Sequence, residues 1–168
     1  MGIVIGIGGI SRAGKSTLAR NIASWLSNKK VSILEMDDFV FPEEQIPKIK
    51  NETDWEVPES VDYTRLAKAI AEEKRSTDVV ITEGIMIFND PKLLALYDRK
   101  IFIEIDYESF ILRKSKDKRW KIPDWYFEHI WTSYIVHGRV NVDDALKLKG
   151  TEDFDRHKIM DFIQVPVN

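Results

Sequence analysis

The stretch IVIGIGGISRAGKSTL, residues 3 to 18, joins a short β-branched run to a glycine-rich segment and then to a helical pattern. Its central part, GISRAGKS from Gly9 to Ser16, fits the pattern Gly-x-x-x-x-Gly-Lys-Ser/Thr without a mismatch. Glycines let successive backbone N–H groups converge on phosphate oxygens at the positive end of a helix. The stretch therefore predicts a phosphate-binding loop between a first strand and a first helix, with a plain strand-to-helix turn as the alternative.

Two side chains of this loop have the chemistry to bind a nucleoside triphosphate. Lys15 is expected to reach the outer phosphates, and the hydroxyl of Ser16 is placed to bind magnesium. The sequence has no Asn-Lys-x-Asp motif of the kind that GTPases use for guanine, which leaves the small kinases as the favoured class. The loop residues expected to contact the nucleotide are Gly9, Ser11, Arg12, Ala13, Gly14, Lys15, Ser16 and Thr17.

Further apolar runs alternate with helical patterns along the rest of the chain. Predicted strands cover 3–7, 31–34, 78–82, 101–105 and, more weakly, 145–149, and predicted helices cover 16–27, 61–74 and a last segment beginning near Thr151. Strands separated by helices indicate a parallel sheet that is covered on both faces. The predicted fold is α/β: one P-loop NTPase domain over residues 1–168, with three α/β/α layers and a five-stranded parallel sheet.

The composition limits the classes of partner. The chain has 168 residues, with 25 Lys plus Arg against 28 Asp plus Glu, and its formal charge of −3 gives no general attraction to nucleic acid or to an anionic membrane. No apolar run approaches the roughly 18 residues that span a bilayer. The absence of cysteine excludes thiol catalysis and suits a reducing compartment. We expect a cytoplasmic monomer or homodimer that binds neither nucleic acid nor membrane.

Acidic residues follow two of the predicted strands, at the edge where parallel sheets bind their ligands. Asp37 and Asp38 come directly after the second strand, and Glu83 lies near the carboxyl end of the third. A carboxylate at Glu83 can hold magnesium directly or through water, or can simply face solvent. Because successive residues of an extended chain point in opposite directions, we expect only one of the two aspartates to face the phosphates.

The segment RKSKDKRWK, residues 113 to 121, has six basic residues in nine. It predicts a small basic lid over about residues 113–125 that neutralises charge on a transferring phosphoryl group. Arg113 and Arg119 are the catalytic candidates in this lid. A solvated helix face and a nucleic-acid contact are the alternatives, and the acidic balance of the chain disfavours the second of these.

The segment from about residue 40 to residue 61 is long for a loop in a compact domain, which is typical of a functional loop. It contains Trp55 beside Glu56, an aromatic face and a hydrogen-bond acceptor that would suit a flat base on a sugar diol. The alternative is that WEVPESVD, residues 55 to 62, only stabilises a helix start capped by Ser60 or Asp62.

Two other features are typical of structural residues. The aromatic cluster WYFEHIW, residues 125 to 131, resembles part of a core more than part of a binding site. The three histidines, His129, His137 and His157, lack metal-ligand spacing and are interpreted as structural or surface residues.

Five motifs in this order resemble the nicotinamide riboside kinases, within the wider uridine kinase-like group of P-loop kinases. They are GISRAGKST, MDDFVFP, WEVPESVD, ITEGIMIF and PDWYFEHIW, and the resemblance covers nearly the whole chain. It implies ATP-dependent, magnesium-dependent phosphorylation of a nucleoside 5′-hydroxyl. The phosphate loop is shared by many proteins, whereas the ordered combination is much more specific.

The resemblance also implies roles for individual residues. Asp37 falls on the base that faces the 5′-hydroxyl, Glu56 on the acid that binds the ribose hydroxyls, and Trp55 on an aromatic that packs on the base. A second ring-stacking aromatic falls on Trp125 or Tyr126. The remaining matches are Lys15 as the loop lysine, with Ser16 and Glu83 at the magnesium positions.

Two departures from the family pattern concern the acceptor. The ribose acid is usually aspartate, and Glu56 is one methylene longer. The lid has lysine at several positions where the family has arginine, and lysine cannot make the bidentate contact of a guanidinium. Nicotinamide riboside is the expected acceptor, since its positive ring gains cation–π attraction from flanking aromatics. Uridine or cytidine is the alternative acceptor, and a P-loop regulatory or nucleic-acid-interacting domain is the alternative of another class.

Overall fold

Five parallel strands form the central sheet of the computed structural model, which describes residues 2–119 and 121–165. The order across the sheet is β2-β5-β1-β6-β7, and a separate antiparallel ribbon pairs β3 with β4. The strands are β1 (Ile3–Gly9), β2 (Val31–Glu35), β3 (Lys48–Ile49), β4 (Glu52–Thr53), β5 (Val79–Gly84), β6 (Arg99–Glu104) and β7 (Leu146–Lys149). The predicted α/β fold with a five-stranded parallel sheet is confirmed.

The helices cover both faces of this sheet. They are α1 (Lys15–Trp25), α2 (Tyr63–Glu73), α3 (Pro91–Leu94), α4 (Tyr107–Ser115), α5 (Asp124–Ser133) and α6 (Arg156–Ile163), and a π-helical turn, Tyr134–Gly138, continues α5. Within the described part of the chain, no helix combines the length and the apolar character needed to cross a membrane.

Alternation along the central strand explains why two separate cores form. Ile5 and Ile7 of β1 point into a large core with side chains of α1, α4, α5 and α6, whereas Val4 points into a smaller core with Leu66 and Ile70 of α2. Successive side chains of a strand lie on opposite faces, so a continuous apolar run supplies both layers at once. β1 is therefore buried on both sides and fixes the position of the loop that follows it.

The N-termini of α2 and α6 can be compared with the predicted helix starts. Asp62 caps α2, because its carboxylate accepts a hydrogen bond from the backbone N–H of Arg65 at 2.9 Å. The last helix begins at Arg156, later than the predicted start near Thr151. Asp155 caps it by accepting from the N–H of Lys158 at 3.1 Å, and a carboxylate at that position satisfies a free helix N–H.

The chain after β2 also differs from the expectation of an extended segment. Residues Met36–Phe39 form one turn of 3₁₀-helix, so the predicted extended chain at Asp37 and Asp38 is wrong, and alternation along a strand does not set the directions of their side chains. Both aspartates are exposed on this turn. The backbone carbonyl of Asp38 accepts a hydrogen bond from the guanidinium of Arg65, which ties the turn to α2.

The long segment between β2 and α2 is closed at its base. Val40 pairs with Val61 in an isolated antiparallel bridge. The N–H of Phe41 donates to the carbonyl of Ser60 at 2.9 Å, and the N–H of Asp62 donates to the carbonyl of Phe39 at 2.7 Å. This segment, residues 40–61, thus forms an excursion that leaves the body of the protein and returns to it at one place. The excursion contains the ribbon β3-β4.

Candidate active site

A cleft of about 710 Å³ opens at the carboxyl ends of β1, β2 and β5. It is lined by the phosphate loop, by the turn that follows β2, by the end of β5, and by one arginine of α4 and one that follows this helix. Ten of the predicted site residues line this one cleft: Ser11, Arg12, Gly14, Lys15, Ser16, Thr17, Asp37, Glu83, Arg113 and Arg119. The cleft lies beyond the carboxyl ends of parallel strands, which is where sheets of this kind usually bind their ligands.

The backbone of the phosphate loop requires glycine at its two ends. Gly9 has φ 149° and Gly14 has φ 106°, both in the region that side chains avoid. A Cβ on Gly9 would also lie 2.6 Å from the carbonyl oxygen of Ile103. α1 begins directly after Gly14, so the free N–H groups of its first turn belong to the loop.

Lys15 lies at the bottom of the cleft and is only 8% exposed. Its Nζ donates to the carbonyl of Ile10 at 2.9 Å. Burial lowers the pKa of Lys15, while the charges of Glu83 and Asp37 act in the opposite direction. A buried ammonium with so few partners is a favourable site for an anion.

Ser16 and Glu83 meet beside Lys15. The hydroxyl of Ser16 donates to Oε1 of Glu83, and the Glu83 carboxylate is buried at the end of β5. Magnesium prefers oxygen ligands and usually keeps several waters, so a hydroxyl and a carboxylate in contact fit that ion. Burial raises the pKa of the neighbouring Glu35, and the charge of Glu83 adds to this effect.

The excursion between β2 and α2 presents Trp55 and Glu56. Trp55 is 40% exposed, which is unusual for so large an apolar side chain. Desolvation raises the pKa of Glu56 to about 7, and the positive charge of Lys114 opposes that rise. The charges of Asp37 and Lys15 also act on Glu56, so this carboxylate and the phosphate site belong to one electrostatic environment.

The two aromatic residues predicted as alternatives for ring stacking have different surroundings. Tyr126 is 4% exposed, and its hydroxyl both donates to the carbonyl of Thr53 and accepts from the N–H of Trp55, each at 3.2 Å. Trp125 is partly exposed, and the Nζ of Lys50 lies 4.6 Å from the centre of its ring.

The two arginines of the predicted lid also have different contacts. The guanidinium of Arg113 donates to the carbonyl of Arg12 at 3.0 Å and to that of Gly150 at 2.8 Å. The exposed guanidinium of Arg119 makes a bidentate contact with Asp117, at 2.7 and 2.6 Å. Trp120, inside the predicted lid, lies outside the described residues.

Three residues near this site were not predicted as site residues: Lys114, Asp54 and His129. The Nζ of Lys114 donates to the hydroxyl of Ser11 at 3.2 Å, and its charge acts on Glu56. Asp54 and His129 form a contact of 2.8 Å, although His129 was interpreted as structural or surface. The available signals were local: Lys114 belongs to the basic run, and Asp54 directly precedes Trp55.

The fold and this arrangement of phosphate loop, carboxylates and basic segment define a small P-loop kinase. A solved structure described as a possible uridine kinase from Bacillus stearothermophilus has the same fold, with a TM-score of 0.61 at 18% identity over 88% of each chain. The chain belongs to the nicotinamide riboside kinase family: it is 32% identical to human nicotinamide riboside kinase 1 in an alignment of 171 positions, gaps included, that covers 89% of this chain and 84% of the relative.

A second relative has a different name. A uridine kinase from Alkaliphilus metalliredigens is 31% identical over 137 residues, which cover 67% of this chain and 66% of the relative. No protein-family model matches the chain. The protein is therefore a phosphotransferase of the nucleoside kinase type, as its sequence motifs predicted.

Proposed function

We propose that the protein transfers the γ-phosphate of ATP to the 5′-hydroxyl of nicotinamide riboside, giving nicotinamide mononucleotide for NAD salvage. The observation that carries this proposal is the position of Glu56, which follows Trp55 in the chain and lies within electrostatic reach of Lys114, Asp37 and Lys15. Asp37 and Lys15 in turn line the phosphate cleft. An aromatic face and a carboxylate for a sugar diol suit a nucleoside, and the phosphate loop beside them suits the donor.

In the proposed reaction Asp37 accepts the proton of the 5′-hydroxyl. The hydroxyl oxygen forms a bond to the γ-phosphorus, the bond from that phosphorus to the bridging oxygen breaks, and ADP leaves. The exposed position of Asp37 at the cleft, on the turn after β2, supports this role. Positioning and charge stabilisation supply most of the rate in such transfers.

The phosphate loop holds the triphosphate through its backbone and Lys15. Ser16 and Glu83 would hold Mg²⁺, which neutralises charge on the phosphate oxygens when it is bound. Arg119, exposed at the cleft, supplies further positive charge to the transferring group. Arg113 lines the same cleft and fixes the loop through its contact with the carbonyl of Arg12.

Nucleoside recognition is assigned to the excursion and to the start of α5. Trp55 packs on the base, and Glu56 accepts hydrogen bonds from the ribose hydroxyls. Of the two predicted stacking residues, the partial exposure of Trp125 favours it as the second aromatic. Tyr126, the other candidate, is buried and uses its hydroxyl on the loop backbone, so its contribution to substrate binding is through that loop.

Uridine or cytidine is the second candidate acceptor, because a uridine kinase is among the relatives at 31% identity.

We also propose that the protein works in the cytoplasm as a monomer or homodimer, without nucleic-acid or membrane partners. The formal charge of −3 supports the expected lack of nucleic-acid and membrane partners. Light scattering coupled to size-exclusion chromatography measures the oligomeric state.

The experiment that tests the function is a panel of nucleosides with ATP and Mg²⁺, followed by mass spectrometry of the products. We expect a higher kcat/KM for nicotinamide riboside than for uridine or cytidine, with one phosphate added at the 5′ position. Equal or better turnover of uridine would overturn the choice of acceptor. Lys15→Met is the matched control, and ordinary turnover by that variant would overturn the assignment of the phosphate loop.

A further inference from the structure

Helix α5 contacts the nucleoside-binding excursion through two side chains that are assigned no direct contact with the substrates. These are Tyr126 and His129, three residues apart and therefore on one face of the helix. Both reach the four residues from Thr53 to Glu56, which carry the proposed nucleoside contacts. The two side chains hold different groups of this short stretch.

Tyr126 bridges the backbone on both sides of Asp54. Its hydroxyl donates to the carbonyl of Thr53 and accepts from the N–H of Trp55, each at 3.2 Å. The same Trp55 N–H also points to the Thr53 carbonyl at 3.2 Å, so the chain makes a tight turn at Asp54 and the phenol closes it. A shift of this hydroxyl therefore changes the direction in which the Trp55 ring leaves the chain.

His129 acts on the same turn through the side chain of Asp54. Asp54 is only 6% exposed, and its Oδ1 accepts from the Nε2 of His129 at 2.8 Å and from the N–H of Glu56 at 3.1 Å. A carboxylate can only accept, so His129 is the donor in this contact. A buried carboxylate needs such partners, and here they connect α5 directly to the backbone of Glu56.

The helix itself is anchored. Ile130, next to His129, is buried in the larger core, and so is the ring of Tyr126. A side chain on a packed helix positions its partners more precisely than one on a loop. Contacts from the core of the kinase thus add to those within the excursion, where the N–H of Asp54 donates to the carbonyl of Pro47 at 2.8 Å and the hydroxyl of Ser60 donates to that of Trp55 at 3.0 Å.

We propose that Tyr126 and His129 are positioning residues that hold Thr53–Glu56 in the shape in which Trp55 and Glu56 meet the nucleoside. This inference rests on the proposed function, since it concerns the same acceptor site. We expect the pair to affect nucleoside affinity and not ATP affinity, because both side chains contact the excursion and not the phosphate loop.

Kinetic constants of four single variants test the proposal. Tyr126→Phe removes only the hydroxyl and His129→Leu removes the donor; each should raise the KM for nicotinamide riboside about fivefold, as expected for one net hydrogen bond. The KM for ATP should stay within about twofold. Tyr134→Phe, in the turn after α5, and His157→Leu, on the exposed side of α6, are the matched controls and should leave both constants unchanged.

A rescue separates positioning from general loss of structure. His129→Gln retains an amide N–H that can donate to Asp54 and should recover most of the nucleoside affinity that His129→Leu loses. Unchanged nucleoside KM in both Tyr126→Phe and His129→Leu would overturn the proposal. An equal rise in the KM for nucleoside and for ATP would overturn it as well, as would a His129→Gln variant no better than His129→Leu.

Hydrogen exchange of the free protein gives a readout that does not depend on turnover. The amides of Trp55 and Glu56 should exchange faster in Tyr126→Phe and His129→Leu than in the wild type, and at the wild-type rate in the two controls. If wild-type protein phosphorylates no nucleoside, the proposed function fails. The exchange rates still decide whether α5 holds the turn, and unchanged rates would overturn the positioning role.

Discussion

Two carboxylates of the proposed acceptor site, those of Asp37 and Glu56, have different environments and therefore different proposed roles. Asp37 is exposed on the 3₁₀ turn after β2, while desolvation raises the pKa of Glu56 to about 7. Separate environments of this kind let one site assign separate tasks to two chemically similar groups. A substitution at each position tests a different step of the reaction.

Replacing Asp37 by asparagine should slow the chemical step and spare donor binding. Asp37→Asn keeps the size of the side chain but cannot accept the hydroxyl proton, so we expect kcat to fall by about 10²- to 10⁴-fold. The affinity for ATP, measured by calorimetry, should remain close to that of the wild type. Asp38→Asn is the matched control, and an equal loss in both variants would contradict the assignment of the base.

Nucleoside use should depend on pH through Glu56. An ionised carboxylate accepts hydrogen bonds from ribose hydroxyls more strongly than a neutral acid. Since the pKa of Glu56 is about 7, kcat/KM for the nucleoside should rise with pH by up to about tenfold per unit below that value and level off above it. Glu56→Gln should remove this dependence, and a profile of the same shape in that variant would exclude Glu56 as its source.

The same residue should make folding stability depend on pH in the opposite direction. The pKa of Glu56 is raised from 4.5 to about 7 in the folded state, so the folded protein binds this proton more tightly than the unfolded chain does. Stability is therefore lost as pH rises from the unfolded pKa through the folded one. At about pH 8, Glu56→Gln should raise the free energy of unfolding by about 1 to 3 kcal/mol in urea titrations.

Among the elements, the turn after β7 and the phosphate loop are coupled by one side chain of α4. Arg113 donates to the carbonyl of Arg12 and to that of Gly150. Arg113→Ala should loosen both, and we expect the KM for ATP to rise about tenfold while the nucleoside KM changes little. Arg119→Ala should act chiefly on kcat instead, because its guanidinium is proposed to stabilise the transferring phosphoryl group.

Measuring kcat and both KM values for these two variants separates the roles. A fall in kcat without any change in the ATP KM for Arg113→Ala would show that Arg113 acts on the transition state. The hydrogen bonds of Arg113 to two backbone carbonyls are the reason to expect the other outcome.

Local elements could be read from the sequence far better than the contacts between them. The phosphate loop and the buried strands depend on glycines and β-branched runs that are adjacent in the chain, and the structure has them close to the predicted positions. The contact of His129 with Asp54 joins residues 75 positions apart. No local pattern encodes that distance, because it follows from how α5 packs against the excursion.

Two local features, the start of the last helix and the turn after β2, also depend on contacts that the sequence patterns did not show. The start of the last helix was predicted near Thr151 from helical pattern alone, whereas the capping carboxylate of Asp155 places it at Arg156. The turn at Asp37 was expected to be extended because it follows a strand, and its 3₁₀ geometry is stabilised by contacts with α2 that lie outside the motif.

For the molecule as a whole, stability should depend on the sheet at which the two cores meet. Ile81, fully buried on β5, belongs to the larger core. Ile81→Ala should lower the free energy of unfolding by about 2 to 5 kcal/mol, the usual cost of a cavity in a core. Leu112 is 56% exposed. Leu112→Ala should therefore change the free energy of unfolding by less than about 0.5 kcal/mol.

Urea unfolding followed by far-UV circular dichroism measures both values. Similar losses for the two variants would mean that the exposed face around Leu112 is covered in solution, since an exposed leucine contributes little to a free monomer.

The closed base of the excursion separates the proposed acceptor site from the phosphate loop. Because Val40 and Val61 bring its ends together, the segment between them can change in length at a cost of only about 0.6 kcal/mol per doubling. The phosphate loop and the sheet need not move when it does. With acceptor recognition in the excursion, as proposed, we expect acceptor choice to diversify, by natural variation or by grafting, through exchange of one contiguous segment and its two partners on α5, while the donor site remains as it is.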